Sequence, residues 1–338
     1  MDPVVVGVDP IALTRSLVDI DSTTGRESEV ASWLSRFLRE RGYHVTEQPL
    51  AGGRFNVYAN LGTPPQVVFS THVDCVPPHF PSRVEGGLLF GRGSCDAKGI
   101  LAAQVAAVDA LRASGETRVA LLFVAGEERG SDGARVANDH APDGVRFLIN
   151  GEPTDNRLGA ATRGILRVRL HASGRAAHSS FPELGDSAID KLLDALMVIR
   201  GVGLPDDPTL GRTHYTVGLI EGGVAPNVVS PHASAELVFR TVGDGARVRE
   251  LLKVVEGLVT IEHVLDIAAV RLQTLPGFET AMFPYTTDIP LLTRWGVPLL
   301  VGPGSIHVAH TEAEHVSIDE LHQAVDLYRS LGAKLLQM

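Results

Sequence analysis

Four short apolar runs recur along the chain: residues 66–70 (QVVFS), 119–125 (VALLFVA), 145–150 (VRFLIN) and 297–301 (VPLLV), bounded by Gly, Pro or polar residues. Runs of this length without polar alternation predict strands covered on both faces. Helical patterns lie between several of them. Val30, Trp33, Leu34, Phe37 and Leu38 recur at helical spacing with Gly42 as a stop, and residues 100–111 form a further helical stretch. Strands alternating with helices predict an α/β fold, a mostly parallel sheet with helices on both faces.

The texture changes near residue 160. Residues 165–172 (ILRVRLHA), 213–220 (THYTVGLI) and 233–240 (ASAELVFR) alternate apolar and polar side chains, as strands with one covered and one exposed face do. Two amphipathic stretches, near 187–199 and 247–258, accompany them. Beyond about residue 270 the buried-strand pattern returns. The expected organisation is a discontinuous main domain, 1–160 and 271–338, with an α+β domain inserted at 161–270. There is no internal repeat and no low-complexity segment.

Composition narrows the function classes. At roughly 150 residues per domain, 338 residues make about two domains. A formal net charge of −10 argues against a nucleic acid or an anionic membrane as the main partner, since both need a basic face. Nothing approaches the ~18 consecutive apolar residues of a membrane span. The first ten residues (MDPVVVGVDP) carry early acids and no basic segment, so no export signal is expected. Two cysteines exclude a disulfide scaffold and suit a reducing compartment, the cytoplasm.

Candidate metal ligands sit where the strands end. His72 closes STHVD, Asp96 lies in GRGSCDAKG before a helix, Glu127 and Glu128 follow LLFVA, Glu152 follows FLIN, and His307 and His310 come soon after VPLLVGPG. A lone His or Glu after a strand is ordinarily a solvated loop residue. In an open α/β sheet, however, ligands bind beyond the carboxyl ends of the strands, so residues arriving at that edge from separate segments converge. A mixed His and carboxylate set suits Zn²⁺, Mn²⁺ or Co²⁺ better than Ca²⁺ or a thiolate site. Cys75 and Cys95 flank the set and read as small buried residues ahead of thiolate ligands. Neighbours in extended chain point to opposite sides, so one of Glu127 and Glu128 can hold metal while the other faces a reacting water. Asp74, two residues past His72, can accept the second imidazole N–H and fix the tautomer.

The motifs STHVD, GRGSCDAKG, the Glu-Glu of AGEERG, INGEPT, GRAAHSS, APNVVS and GPGSIHVAHTEAE occur in one order along nearly the whole chain. In this the chain resembles the dinuclear zinc hydrolases that include acetylornithine deacetylase, succinyl-diaminopimelate desuccinylase, aminoacylase and carboxypeptidase G. The resemblance implies a zinc-exopeptidase-like fold with an inserted dimerisation domain and two divalent ions, Zn²⁺ first and Co²⁺ or Mn²⁺ as alternatives. It implies His72 and Glu152 on one ion, Glu128 and His310 on the other, Asp96 between them and Glu127 as general base. Spacing alone does not separate His307, His310 and His315; the family pattern A-H-x-x-x-E selects His310 through Ala309 and Glu314. His178 of GRAAHSS corresponds to a residue that reaches the partner subunit's site in a homodimer, and Asn227 and Arg240 to positions that hold substrate, Arg240 being suited to an α-carboxylate.

The expected reaction is hydrolysis of a small N-acyl amino acid, first a deacetylation of acetylornithine type, with acetylcitrulline or acetyllysine as variants. The alternatives are a desuccinylase, for which no additional cationic contact is assigned, and a metallo-exopeptidase or dipeptidase using the same metals and base. A catalytically silent metal- or peptide-binding protein is disfavoured because the ligand set and Glu127 are intact. A dehydrogenase is disfavoured because no G-x-G-x-x-G follows an early strand.

Overall fold

In a computed structural model, residues 7–338 are described; the first six, part of the stretch on which the expectation about export rests, lie outside the described residues. The chain divides into two compact units. One is Met1–Ala160, Leu272–Ala281 and Thr287–Met338; the other is Ala161–Arg271 and Met282–Thr286.

The first unit is built on a six-stranded sheet in the order His44–Pro49, Phe55–Asn60, Val119–Val124, Val67–His72, Phe147–Asn150, Val297–Leu300. The last four strands are mutually parallel, and they are the four continuous apolar runs. The first two form an antiparallel hairpin at one edge. Alternate residues of each central strand serve opposite faces. Val67, Phe69, Leu121, Phe123 and Ile149 join a core with the helices Pro10–Val18, Ser28–Glu40, Lys98–Ala113 and Ile318–Leu335. Val68, Ala120, Leu122, Val124 and Leu148 pack instead against Ala134 and Ala137 of the helix Asp132–Asp139 and against Leu292 and Trp295. Helices therefore cover both faces, as the apolar pattern predicts.

Trp295 is fully buried, its Nε1–H donates to the Ala137 carbonyl at 3.2 Å, and its ring centroid lies 5.8 Å from that of Tyr58. Trp295→Ala is expected to cost about 3–5 kcal/mol through lost burial and the cavity left behind, read as a lower urea midpoint.

The second unit carries a four-stranded antiparallel sheet in the order His214–Gly222, His232–Thr241, Gly164–Ser173, Thr260–Ile267. Leu166, Val168, Leu170, Leu237 and Phe239 pack beneath the helices Ala188–Gly201 and Ala246–Leu252. The opposite face is a ladder of charge, with Arg167 and Arg169 on Glu236, and Arg169 and His171 on Glu262. One covered and one solvated face is what the alternating runs predict. Two details differ from expectation. The second amphipathic stretch ends its α-helix at Leu252 and tightens into a 3-10 turn over Lys253–Val255. Met282–Thr286 groups with this unit although its sequence position falls in the expected main domain, because the Phe283 carbonyl accepts the Arg163 N–H at 3.3 Å.

Candidate metal centre

The candidate ligands meet at the carboxyl edge of the parallel strands, all within the first unit. His72 is the last residue of Val67–His72, and Glu152 follows Phe147–Asn150 by two residues. Asp96 ends the loop that enters Lys98–Ala113. Glu127 and Glu128 stand in a 3-10 turn after Val119–Val124. That turn needs Gly126, whose φ is +78° and where a Cβ would fall 2.2 Å from Asp132 Oδ1. His310 sits in the loop after Val297–Leu300 with a left-handed backbone, φ +64°.

The side chains form two groups. Ligand atoms of His72, Asp96 and Glu152 lie within 4.8 Å of one another, as do those of Asp96, Glu128 and His310. Asp96 belongs to both: His72 Nε2 is 2.9 Å from its Oδ1 and His310 Nε2 is 3.3 Å from its Oδ2. His310 Nε2 is also 2.9 Å from Glu128 Oε1. Glu152 Oε1 is buried without a hydrogen-bond partner. A buried, unpartnered carboxylate oxygen is costly unless a cation takes it, and one Asp, two Glu and two His are donors that Zn²⁺ accepts. The residues thus fit a pair of divalent ions sharing Asp96.

The peptidase family M20/M25/M40 matches residues 68–334. The chain belongs to that family. A protein of Aspergillus clavatus named probable carboxypeptidase is 36% identical over 380 residues, covering 98% of this chain and 84% of its own. Two solved structures share the fold. An M20 family metallo-carboxypeptidase from Sulfolobus solfataricus has a TM-score of 0.78 at 18% identity, covering 98% of this chain and 100% of its own. A Bacillus subtilis protein described as a dinuclear metal binding peptidase from M20 family has a TM-score of 0.74 at 16% identity, covering 97% and 98%. This M20 peptidase is a metal-dependent hydrolase of amide bonds. None of its described helices is long and apolar enough to cross a membrane.

The electrostatics of the peptidase's centre are those of crowded carboxylates. Burial pushes the Glu127 carboxyl well up, helped by the charges of Glu152, Asp288 and Glu128, and it pushes up Glu152 and Glu128 as well. Asp96 is held low despite its burial, because His310 and His72 both donate to it. Burial opposes the His72 cation, yet bonds to Asp74 and Asp96 raise it; the carboxylates of Asp96 and Glu128 push His310 up to about 10. Glu127 stands outside both ligand groups and beside them.

Asp74 does more than the imidazole bond expected of it. His72 Nδ1 donates to the Asp74 main-chain carbonyl at 3.0 Å, while the carboxylate is 3.5 Å away. The carboxylate also accepts the N–H groups of Glu127 (3.1 Å) and Glu128 (3.2 Å) and the Thr24 hydroxyl (2.9 Å). It fixes the turn that carries both glutamates.

The other sequence candidates separate clearly. His307 and His315 join neither ligand group; His315 packs on Phe90 and bonds the Ala313 carbonyl through Nδ1. Cys75 and Cys95 are buried thiols, pushed up by that burial and absent from both groups. His178, Asn227 and Arg240 lie in the second unit. His178 is exposed and its Nδ1 accepts the Ser180 N–H at 3.1 Å; the neighbouring Ser179 N–H bonds the Asn227 carbonyl at 3.0 Å, which brings these two segments together. Arg240 is half-buried on the strand His232–Thr241. Asp288 went unrecognised in the sequence: it is buried, one oxygen has no partner, and burial raises it to about 6. It follows no strand of the parallel sheet, so strand-end reasoning passes over it.

Proposed function

We propose that this peptidase is a two-metal carboxypeptidase of small peptides, with two Zn²⁺ ions as the resident metals. The observation that carries the reading is the pair of ligand groups sharing Asp96 with Glu127 left over beside them. The related carboxypeptidase name supports this more than the acetylornithine-type deacetylation expected from sequence. His72, Asp96 and Glu152 would hold one ion, and Asp96, Glu128 and His310 the other. When bound, a pair of such ions lowers the pKa of water and polarises the scissile carbonyl.

The chain's own residues supply the rest. Glu127, raised by burial, accepts the proton of the attacking water and delivers it to the departing amine. Asp74 holds the Glu127 main chain in place for both transfers. His178 donates to the oxyanion of the tetrahedral intermediate, and Asn227 and Arg240 hold the substrate, Arg240 through its α-carboxylate.

The substrate reading is tested with a zinc-loaded sample on dipeptides, the corresponding peptide amides, and N-acetyl amino acids. Dipeptides should be cleaved fastest and peptide amides poorly. Arg240→Ala should raise KM for dipeptides about 10- to 100-fold, the effect of losing a charged hydrogen bond of roughly 1.5–3 kcal/mol, with little change for the amides. Preference for N-acetyl amino acids would return the reading to a deacetylase.

The assembly proposed is a homodimer in which His178 serves the partner's centre. Its support is the edge strand His214–Gly222, which is exposed over most of its length and carries exposed Leu219 and Ile220. An unprotected edge with apolar flanks invites pairing with another copy. Mixing inactive His178→Ala chains with inactive Glu127→Gln chains should restore activity, since a mixed dimer has one intact site. No recovery after subunit exchange verified by mass would refute the shared site.

A further inference from the structure

Besides Asp74, a second buried carboxylate accepts main-chain N–H groups next to the ligands. Glu314 is completely buried, four residues past His310 in the same loop. Its Oε1 accepts the main-chain N–H groups of Gly93 (2.9 Å), Asp96 (3.1 Å) and Cys95 (3.3 Å). Its Oε2 takes the guanidinium of Arg92, itself 1% exposed. The Glu314 main-chain carbonyl accepts the Gly91 N–H at 3.1 Å, and the strand His315–Ser317 that follows pairs with Leu88–Phe90, which precedes the Asp96 loop. One side chain from the His310 loop is therefore the hub around which residues 91–96 fold.

This arrangement is expensive unless complete. Burying an Arg–Glu pair costs more desolvation than the attraction returns unless other hydrogen bonds satisfy the remaining lone pairs. Here three N–H donors do so, and one of them is the amide of Asp96. Charge-assisted bonds to an ionised carboxylate are short and strong, so the Asp96 main chain is fixed to the loop that carries His310. We propose that Glu314 is a positioning residue that sets Asp96 and His310 in register, so that the Asp96–Glu128–His310 group binds its ion as one preformed site. The inference rests on the two-metal reading above. It predicts an asymmetry: Asp96 is also held by His72 from the other side, so the His72–Asp96–Glu152 group depends less on Glu314.

The test is zinc titration calorimetry on chelator-treated wild type and Glu314→Gln, with circular dichroism to establish the fold and the visible spectrum of the Co²⁺-loaded forms as a second readout. Should Glu314→Gln fail to fold because Arg92 is left as an unpaired buried charge, the double variant Arg92→Gln, Glu314→Gln takes its place. Wild type should show two binding events. The variant should keep one at wild-type affinity and weaken the other about 10- to 100-fold, the range for loss of a partner behind a metal ligand, with a changed Co²⁺ spectrum for that site alone. Two events at wild-type affinity in the folded variant, or equal weakening of both, would overturn the role of Glu314. Fewer than two events in the wild type would overturn the two-metal reading itself, and the role with it.

Discussion

Glu127→Gln is expected to lower turnover by about 10²–10⁴-fold, the usual contribution of a positioned general base, while both ions stay bound. Glu127 belongs to neither ligand group, so the amide removes a proton acceptor and no ligand. Glutamine keeps the length of the side chain, and the Glu127 main-chain N–H still bonds Asp74 at 3.1 Å, so the turn survives. Steady-state rates together with metal analysis check this. Loss of metal from Glu127→Gln, with Glu128→Gln keeping both ions and losing turnover, would exchange the roles of the two glutamates.

Asp96→Asn is expected to empty both positions rather than one. Each oxygen of Asp96 faces a different histidine, Oδ1 toward His72 and Oδ2 toward His310. The amide loses the charge, and one of its two ends becomes a donor facing a group that needs an acceptor. Each affinity should fall by more than the roughly 10- to 100-fold typical of an outer partner. Ligand binding to the native state stabilises it by about 2.7 kcal/mol at a hundredfold excess over Kd, so zinc should raise the melting temperature of wild type and scarcely move that of Asp96→Asn. Two ions per chain and a normal rate in this variant would exclude the shared ligand.

What was legible in the sequence follows from how each feature is encoded. The four parallel strands announce themselves because they are covered on both faces and so must be apolar throughout. The hairpin His44–Pro49 and Phe55–Asn60 went unread because its outer strand, HVTEQP, is mostly exposed and polar. The helix Ile318–Leu335 is encoded more faintly, although Leu321, Ala324, Tyr328, Leu331 and Leu335 make a helical stripe and the Ser317 side chain accepts the Glu320 N–H. Its signal was present, diluted by Asp, His and Gln between the apolar positions.

The ligand candidates were visible as His and carboxylates at strand ends. What distinguishes His310 from His307 and His315 is a left-handed backbone that turns its ring toward Asp96, and spacing does not encode that. Asp74 and Glu314 were visible as residues and invisible in their chief role. Both work by accepting main-chain N–H groups, which nearly every residue type supplies, so no sequence pattern marks the donors.

The most direct measurement is a crystal structure of the zinc-loaded protein with anomalous data collected on both sides of the zinc edge. Two zinc peaks are expected roughly 3.5–4 Å apart, one bound by His72, Asp96 and Glu152, the other by Asp96, Glu128 and His310. A single peak, or a second peak held by His307 or His315 without Asp96, would contradict the shared-carboxylate centre.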